Sequence, residues 1–216
     1  MSTLATPPAP AAAPARRRSI AKPAIWAALG LAGISVLIYT DYPLFKPSAD
    51  PYRAKLIFDR FFLIPHAVAG IVATCLGPFL FSTRFRQRHL KRHRIMGRVY
   101  VGCIAVAAPM AFYLGTRGYT LPMTFAGGVQ AVFWFGCTLC AFLAARNRQI
   151  TVHRQWMVRS YLFTLSFIFS RLPNPIPAYY NMSETGLALT LLFLSICYFA
   201  LPQVYFNWHE LTHSRA

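Results

Sequence analysis

The sequence predicts an all-α fold, a multi-pass transmembrane helical bundle of six spans with both termini in the cytoplasm. Three observations lead to this prediction. The chain is 56% hydrophobic and only 12% charged, which is too apolar for a soluble domain of this size. Its six apolar runs are each near the ~20 residues that a helix needs to cross a bilayer. The loops between those runs alternate sharply in charge.

The apolar runs give the predicted spans directly: 24–40, 57–81, 97–116, 123–145, 157–179 and 186–208. The fifth run is irregular, because Arg171 and the prolines Pro173, Pro175 and Pro177 interrupt it. Proline removes a backbone donor and clashes with the preceding turn, and in lipid the freed backbone groups must be covered by protein or water. We therefore expect the second half of this span to line a cavity or the outer surface.

Lysine and arginine are unevenly distributed over the loops. The loops at 82–94 and 146–154 are basic, whereas those at 41–55 and 181–184 hold most of the acids. This assignment puts 16 Lys and Arg on one side and 6 on the other, and the positive-inside rule makes the richer side cytoplasmic. The net charge of +17 follows this pattern, so we expect the lipid bilayer as a partner and no nucleic acid.

The chain divides into three predicted parts. Residues 1–22 form an Ala/Pro/Arg-rich tail that has nothing to bury, and we expect it to be disordered in the cytoplasm. Residues 23–208 form the six-helix transmembrane domain. Residues 209–216 form a cytoplasmic C-terminal tail.

Two predicted spans open with similar sequences. "HRIMGRVY" (93–100) and "HRQWMVRSY" (153–161) each contain His-Arg, then another Arg, then Tyr two residues later. Both are typical of basic helix starts, with Arg at the headgroups and aromatics at the interface. They also fit a repeat of two helical hairpins, which places His93 and His153 at one depth. In that case the two histidines could hold a metal centre, most readily haem b, with Arg98 and Arg159, and also Arg94 and Arg154, available for its propionates.

Four polar side chains lie at similar depths within the spans. They come from four different spans: His66, Tyr113, Gln130 and Arg171. Polar groups in lipid are costly and usually pair with each other or face a cavity. We expect either a hydrogen-bonded cluster that fixes the helix register, or an outward-facing site for a quinone headgroup or another small molecule.

The C-terminal segment contains H-E-x-x-H, with His209, Glu210 and His213. On a helix this spacing brings two imidazoles and a general base together, as in zinc hydrolases. A hydrolytic site also needs a third protein ligand, and the sequence places none nearby. We interpret the motif as accidental, although imidazole suits Zn, Cu and Fe and metal binding by His209 and His213 stays open.

A set of short motifs resembles a family of bacterial membrane proteins, domain of unknown function 2306. The motifs are "HAVAGIVATCLGPFLFSTRFR" (66–86), "HRIMGRVY" (93–100), "GG" (127–128), "HRQWMVRSY" (153–161) and Arg171-Leu172. The resemblance covers roughly residues 61–175. It implies an integral protein of the bacterial inner membrane and assigns no chemistry.

A fainter likeness, of layout alone, is to cytochrome b561-type haem proteins. Those proteins pair histidines from the first and third helices, and from the second and fourth helices, of a four-helix core. Here the second and fourth helices offer His93 and His153, and the first offers His66. The third offers Gln130 in place of a histidine, so the likeness implies one haem site at most.

Three classes of function follow from these patterns. The first is a haem- or quinone-linked electron-transfer protein, with a quinone or a redox protein as partner. The second is a transporter or small-molecule-binding membrane protein. The third is an accessory or scaffold subunit without a ligand. The sequence identifies no catalytic residue.

Overall fold

A computed structural model describes residues 21–41, 58–116 and 120–213, and these residues form helices with no strand among them. Their α-helices are α1 Ala21–Val36, α2 Arg60–Leu80, α3 Thr83–Arg88, α4 Leu90–Thr116, α5 Leu121–Arg146, α6 Ile150–Thr164, α7 Ser166–Arg171, α8 Pro177–Tyr180 and α9 Glu184–His213. A π-helix, Leu37–Asp41, continues α1. Most of the predicted N-terminal tail and of the 41–55 loop lies outside the described residues.

The predicted fold class is confirmed. Four helices, α2, α4, α5 and α9, are long and apolar enough to cross a membrane, and Pro23–Tyr39 forms a shorter apolar helix. Large apolar side chains such as Phe193 and Ile196 on α9 are exposed, as expected for helices that face lipid rather than water. The protein is an all-α membrane helical bundle. The count of six spans and the side of the termini stay predictions.

Four elements form a closed ring at the centre of the bundle. Helix α2 packs on α4, α4 on α5, α5 on α6, and α6 back on α2. Helix α9 covers α5 and α6 from outside, and α1 contacts α7. Small residues allow close approach between membrane helices. At one such point a Cβ on Gly115 of α4 would lie 3.7 Å from the backbone of Gly127 on α5.

The basic segments are more helical than the sequence predicts. Helix α4 begins at Leu90 and α6 at Ile150, each seven residues before the predicted start of its apolar run. Arg and Lys are good helix formers, so both helices continue past the apolar core. We call the end of the bundle formed by residues 83–94 and 146–154 the basic end, and the opposite half the far half.

The fifth predicted span is interrupted earlier than its prolines suggest. Helix α6 ends at Thr164 and α7 ends at Arg171. The hydroxyl of Thr164 donates back to the carbonyl oxygen of Ser160 at 3.0 Å, and such back-bonding often bends helices. Turns and the short α8 follow over the proline-rich segment. The predicted irregularity is present, and it begins at Leu165, six residues before Arg171.

Candidate functional site

Two histidines lie at the basic end, at matching positions of two helices. His93 lies in the first turn of α4 and His153 in the first turn of α6. The Nδ1–H of His153 donates to the carbonyl oxygen of Ala141 at 2.8 Å, so the lone pair of the neutral ring is on Nε2. The Nδ1 atom of His93 is buried and has no hydrogen-bond partner among the described residues. The two imidazoles are close enough to interact electrostatically.

The predicted arginines do not join this histidine pair equally. Arg98 is exposed to the surroundings. Arg159 is 3% exposed and is turned to α9, where its Nε–H donates to the carbonyl oxygen of Phe199 at 3.3 Å. The arginines that interact electrostatically with His93 are Arg94, which was predicted, and Arg86, which was not.

The spacing within the two motifs explains this difference. Arg98 follows His93 by five residues, whereas Arg159 follows His153 by six. One residue turns a helix by about 100°, so the two arginines lie on different faces relative to their histidines. The two histidines therefore occupy matching positions in their helices, whereas the two arginines that follow them do not.

The far half holds the four predicted polar residues on four different helices. The Nδ1–H of His66 on α2 donates to the carbonyl oxygen of Ala107 on α4 at 2.9 Å, and its ring meets Trp134 on α5 edge-on at 6.3 Å between centroids. Arg171 interacts electrostatically with His66. Gln130 lies one turn before Trp134, and its Nε2 atom is buried without a hydrogen-bond partner in the described part of the chain.

Tyr113 joins the same region through an aromatic contact. Its ring stacks on Phe62 at 4.0 Å between centroids, and Phe62 lies one turn before His66 on α2. One turn after His66, a Cβ on Gly70 would meet nothing within 4 Å. The far half thus combines a histidine with a free ring nitrogen, an unsatisfied amide, a cation and some open space.

A buried set of hydroxyls lies in the centre of the helical ring and was not predicted from the sequence. We call it the hydroxyl chain, and it consists of Thr138 on α5, Ser160 and Thr164 on α6, and Tyr100 on α4. All four residues are less than 5% exposed. Ser and Thr are ordinary residues in membrane helices, so only the four-residue spacing of Ser160 and Thr164 hints at a shared face.

The hydroxyl chain is hydrogen-bonded from end to end. Thr138 Oγ1 is 2.7 Å from Ser160 Oγ, and the phenol oxygen of Tyr100 is 2.8 Å from both Ser160 Oγ and Thr164 Oγ1. The Nε1–H of Trp134 donates to Thr164 Oγ1 at 3.0 Å. These bonds satisfy polar groups that would otherwise be costly in the membrane core.

The C-terminal motif lies on a helix, because α9 continues to His213. The side chains of His209 and His213 are outside what the structure describes. Among the described side chains, no group of three His, Cys, Asp or Glu is arranged to hold a metal ion. The interpretation of this motif as accidental stays a prediction. A metal centre held by only two histidines requires no such group of three.

The fold and the sites define an integral membrane helical bundle with polar residues at both ends of a four-helix ring. Residues 63–208, more than half of the chain, match the family model described as predicted membrane protein, DUF2306. The chain belongs to this family, as its motifs predict. No curated protein and no solved structure is similar enough to give a match. The likeness to cytochrome b561-type proteins stays a likeness of layout.

Proposed function

We propose that the protein is an electron-transfer protein of the membrane that holds a haem b between His93 and His153. The observation that carries the proposal is the buried Nδ1 atom of His93, which has no partner among the described residues and belongs to a ring near His153. An unsatisfied buried nitrogen is costly, and binding a metal would remove that cost. Haem iron, when bound, supplies one-electron chemistry.

The surroundings of His153 fit a ligand role. Histidines that bind metals usually donate their other N–H to a carbonyl or a carboxylate, which fixes the ring and raises the basicity of the ligand nitrogen. The carbonyl oxygen of Ala141 provides this contact for His153. Arg86 and Arg94, the cations near His93, suit the two propionates of a haem because charge-assisted hydrogen bonds to carboxylates are strong.

The test is the visible spectrum of the purified protein after expression with haem supply. We expect a b-type band in the reduced-minus-oxidised spectrum, and its loss in both His93→Ala and His153→Ala. His89→Ala is the matched control, because His89 is exposed and lies one turn before His93. If the wild-type protein shows no band and elemental analysis finds no metal, the proposal is wrong.

A second candidate function is the binding of a quinone headgroup in the far half, which suits the same electron-transfer role. The amide of Gln130 has hydrogen atoms to donate to a quinone carbonyl. His66 Nε2 carries a lone pair that accepts from a quinol hydroxyl, because Nδ1–H is held by Ala107. Arg171, which interacts with His66, adds a cation at this site.

The quinone site has its own measurement. We expect the protein to quench or shift a fluorescent short-chain quinone analogue, and His66→Leu or Gln130→Leu to weaken that binding. Thr124→Val is a control on the same helix, more than one turn from Gln130. Unchanged affinity in both variants would reject the headgroup site. If the quinone analogue does not bind and a small polar solute binds at His66 and Gln130 instead, the result favours the transporter interpretation.

A further inference from the structure

A shallow apolar groove lies between α6 and α9 on the outside of the bundle. Its cavity volume is about 350 Å³, and it is open to the surroundings. The side chains that line it are Val158 and Leu162 of α6, and Leu201, Pro202, Tyr205 and Phe206 of α9. Helix α9 is one of the helices that can cross the membrane, so the groove opens toward lipid and suits an acyl chain better than a polar solute.

The groove ends close to the membrane–water interface. Tyr205 and Trp208 on α9 are 64% and 68% exposed, and exposed Tyr and Trp near a helix end are typical of the headgroup level of a bilayer. The stretch 201–206 of α9 therefore lies directly below this level. The acyl chains of a phospholipid begin at the same depth.

Two opposite charges flank the groove at the basic end. Arg154 comes four residues before Val158 on α6, and Glu210 comes four residues after Phe206 on α9. Residues four apart share a helix face, so each charge lies about 6 Å beyond the groove along its helix. Both side chains are exposed, and neither forms an ion pair or a hydrogen bond with the part of the chain that the structure describes.

The two charges also lie at similar levels of the bundle. Helix α6 begins at the basic end, whereas α9 begins beside Thr120 in the far half, so the two helices are antiparallel. Arg159 contacts α9 at both ends of the turn 199–203 and is therefore level with it. Arg154 lies five residues closer to the basic end than Arg159, and Glu210 lies seven residues beyond that turn. The two charged residues are thus level to within about one turn, or about 5 Å.

We propose that the groove binds one molecule of phosphatidylethanolamine, with an acyl chain between α6 and α9, its phosphate at Arg154 and its ammonium group at Glu210. A short ethyl link joins the phosphate to the ammonium group in this lipid, so its headgroup carries two opposite charges side by side. Arginine donates charge-assisted hydrogen bonds to phosphate, and a carboxylate accepts them from an ammonium group. Phosphatidylglycerol lacks the ammonium group, and the quaternary ammonium of phosphatidylcholine has no hydrogen to donate.

The lipid site is separate from the candidate haem site. Arg154 follows His153 by one residue and so lies about 100° from it around α6. The arginines that interact with His93 come from α3 and α4, so the haem proposal does not use Arg154. The lipid site gives Glu210 of the H-E-x-x-H motif a role that requires no metal. It depends on neither the haem nor the quinone proposal.

The test is native mass spectrometry of the full chain in detergent, titrated with phosphatidylethanolamine, phosphatidylglycerol or phosphatidylcholine of the same acyl chains. We expect one phosphatidylethanolamine per chain to bind first, and the other two lipids to bind more weakly. Arg154→Gln should weaken the binding of phosphatidylethanolamine and phosphatidylglycerol alike, by about fivefold. Glu210→Gln should weaken only phosphatidylethanolamine, so that its preference over phosphatidylglycerol disappears. Arg88→Gln is the matched control, because Arg88 is an exposed arginine of the basic end on α3, and it should bind as the wild type does.

The groove is tested separately from the charges. Leu201→Trp fills the groove and should weaken the binding of all three lipids, whereas Leu189→Trp, at a similarly exposed leucine of α9 outside the groove, should not. Both leucines are exposed, so both variants should keep the melting temperature of the wild type.

Four outcomes overturn the lipid site. The first is equal binding of phosphatidylethanolamine and phosphatidylglycerol by the wild type, and the second is wild-type selectivity in Glu210→Gln. The third is wild-type affinity for phosphatidylethanolamine in Leu201→Trp. The fourth is a dimer without lipid that Leu201→Trp dissociates, which assigns the groove to a second copy of the chain.

Discussion

The hydroxyl of Tyr161 on α6 donates a hydrogen bond to the carbonyl oxygen of Thr74 on α2 over 2.8 Å. Thr74 stands four residues before Pro78, and proline has no N–H to complete the helical bond to that carbonyl. Tyr161 supplies the missing donor from a neighbouring helix, as membrane proteins require where proline frees a backbone group. The bond closes the ring of four helices between α2 and α6.

Replacing Tyr161 by phenylalanine should destabilise the bundle. The change leaves the carbonyl oxygen of Thr74 without a donor in a partly buried place, which costs up to about 1–3 kcal/mol. The measurement is the free energy of unfolding in mixed micelles. Tyr198→Phe, which removes a hydroxyl without a partner, should cost clearly less. Equal losses in the two variants would contradict this account, and Pro78→Ala should partly restore the stability of Tyr161→Phe because it returns a backbone donor.

A methyl group at Gly77 should also destabilise the same contact. A Cβ at this position would lie 2.1 Å from atoms of the Tyr161 ring, and overpacking of this kind costs typically about 1–3 kcal/mol. Gly70→Ala is the control on the same helix, because its Cβ would meet nothing within 4 Å. We expect a lower melting temperature for Gly77→Ala in detergent and little change for Gly70→Ala. A neutral Gly77→Ala would mean that the Tyr161 ring moves aside at no cost.

The sequence predicts the fold well because the apolar runs carry the information for the spans. The predicted span 123–145 and the helix Leu121–Arg146 differ by two residues at one end and one at the other. Helix ends at the basic end were predicted less well, since Leu90 and Ile150 begin helices whose first turns are polar. Hydropathy reports where a helix meets lipid and not where its hydrogen bonding begins.

The candidate sites were predicted unevenly for a similar reason. His66 and Arg171 were grouped because they lie at similar depths, which follows from the helix rise alone, and their place in one site stays a prediction. Arg98 and Arg159 lie on different helix faces relative to their histidines because their spacings differ by one residue, and their role beside a haem stays a prediction. The hydroxyl chain depends on which faces of α4, α5 and α6 pack together, and no local pattern in the amino-acid sequence specifies those faces.

The orientation of the bundle is open to a direct experiment. The distribution of Lys and Arg, 16 against 6, predicts that the 82–94 segment is cytoplasmic and the 41–55 segment is not. Reporter fusions active on one side only should therefore give opposite signals at these two segments. Fusions at the two termini should both report the cytoplasm. The same signal at 82–94 and 41–55 would rule out the proposed topology.

Exchange of Gln203 for glutamate should stabilise the contact between α6 and α9. An Nη2–H of buried Arg159 donates to the side-chain oxygen of Gln203, and its guanidinium carbon lies 5.0 Å from the Trp156 ring centroid and 5.4 Å from that of Phe199. None of these groups carries a negative charge. A carboxylate at position 203 turns a neutral acceptor into a charged one, and charge-assisted hydrogen bonds are roughly twice as strong as neutral ones.

The expected gain from Gln203→Glu is at most about 1 kcal/mol in the free energy of unfolding. It is reduced because position 203 is exposed to water and because the carboxylate cannot donate to Asn207 Oδ1 as the Gln203 amide does. A double-mutant cycle with Arg159→Leu isolates the pair, because the gain should vanish when the guanidinium is absent. Gln203→Leu should lower stability instead, since it leaves a buried N–H without its acceptor. A gain of equal size with and without Arg159 would show that the carboxylate acts elsewhere, for example on the last turns of α9.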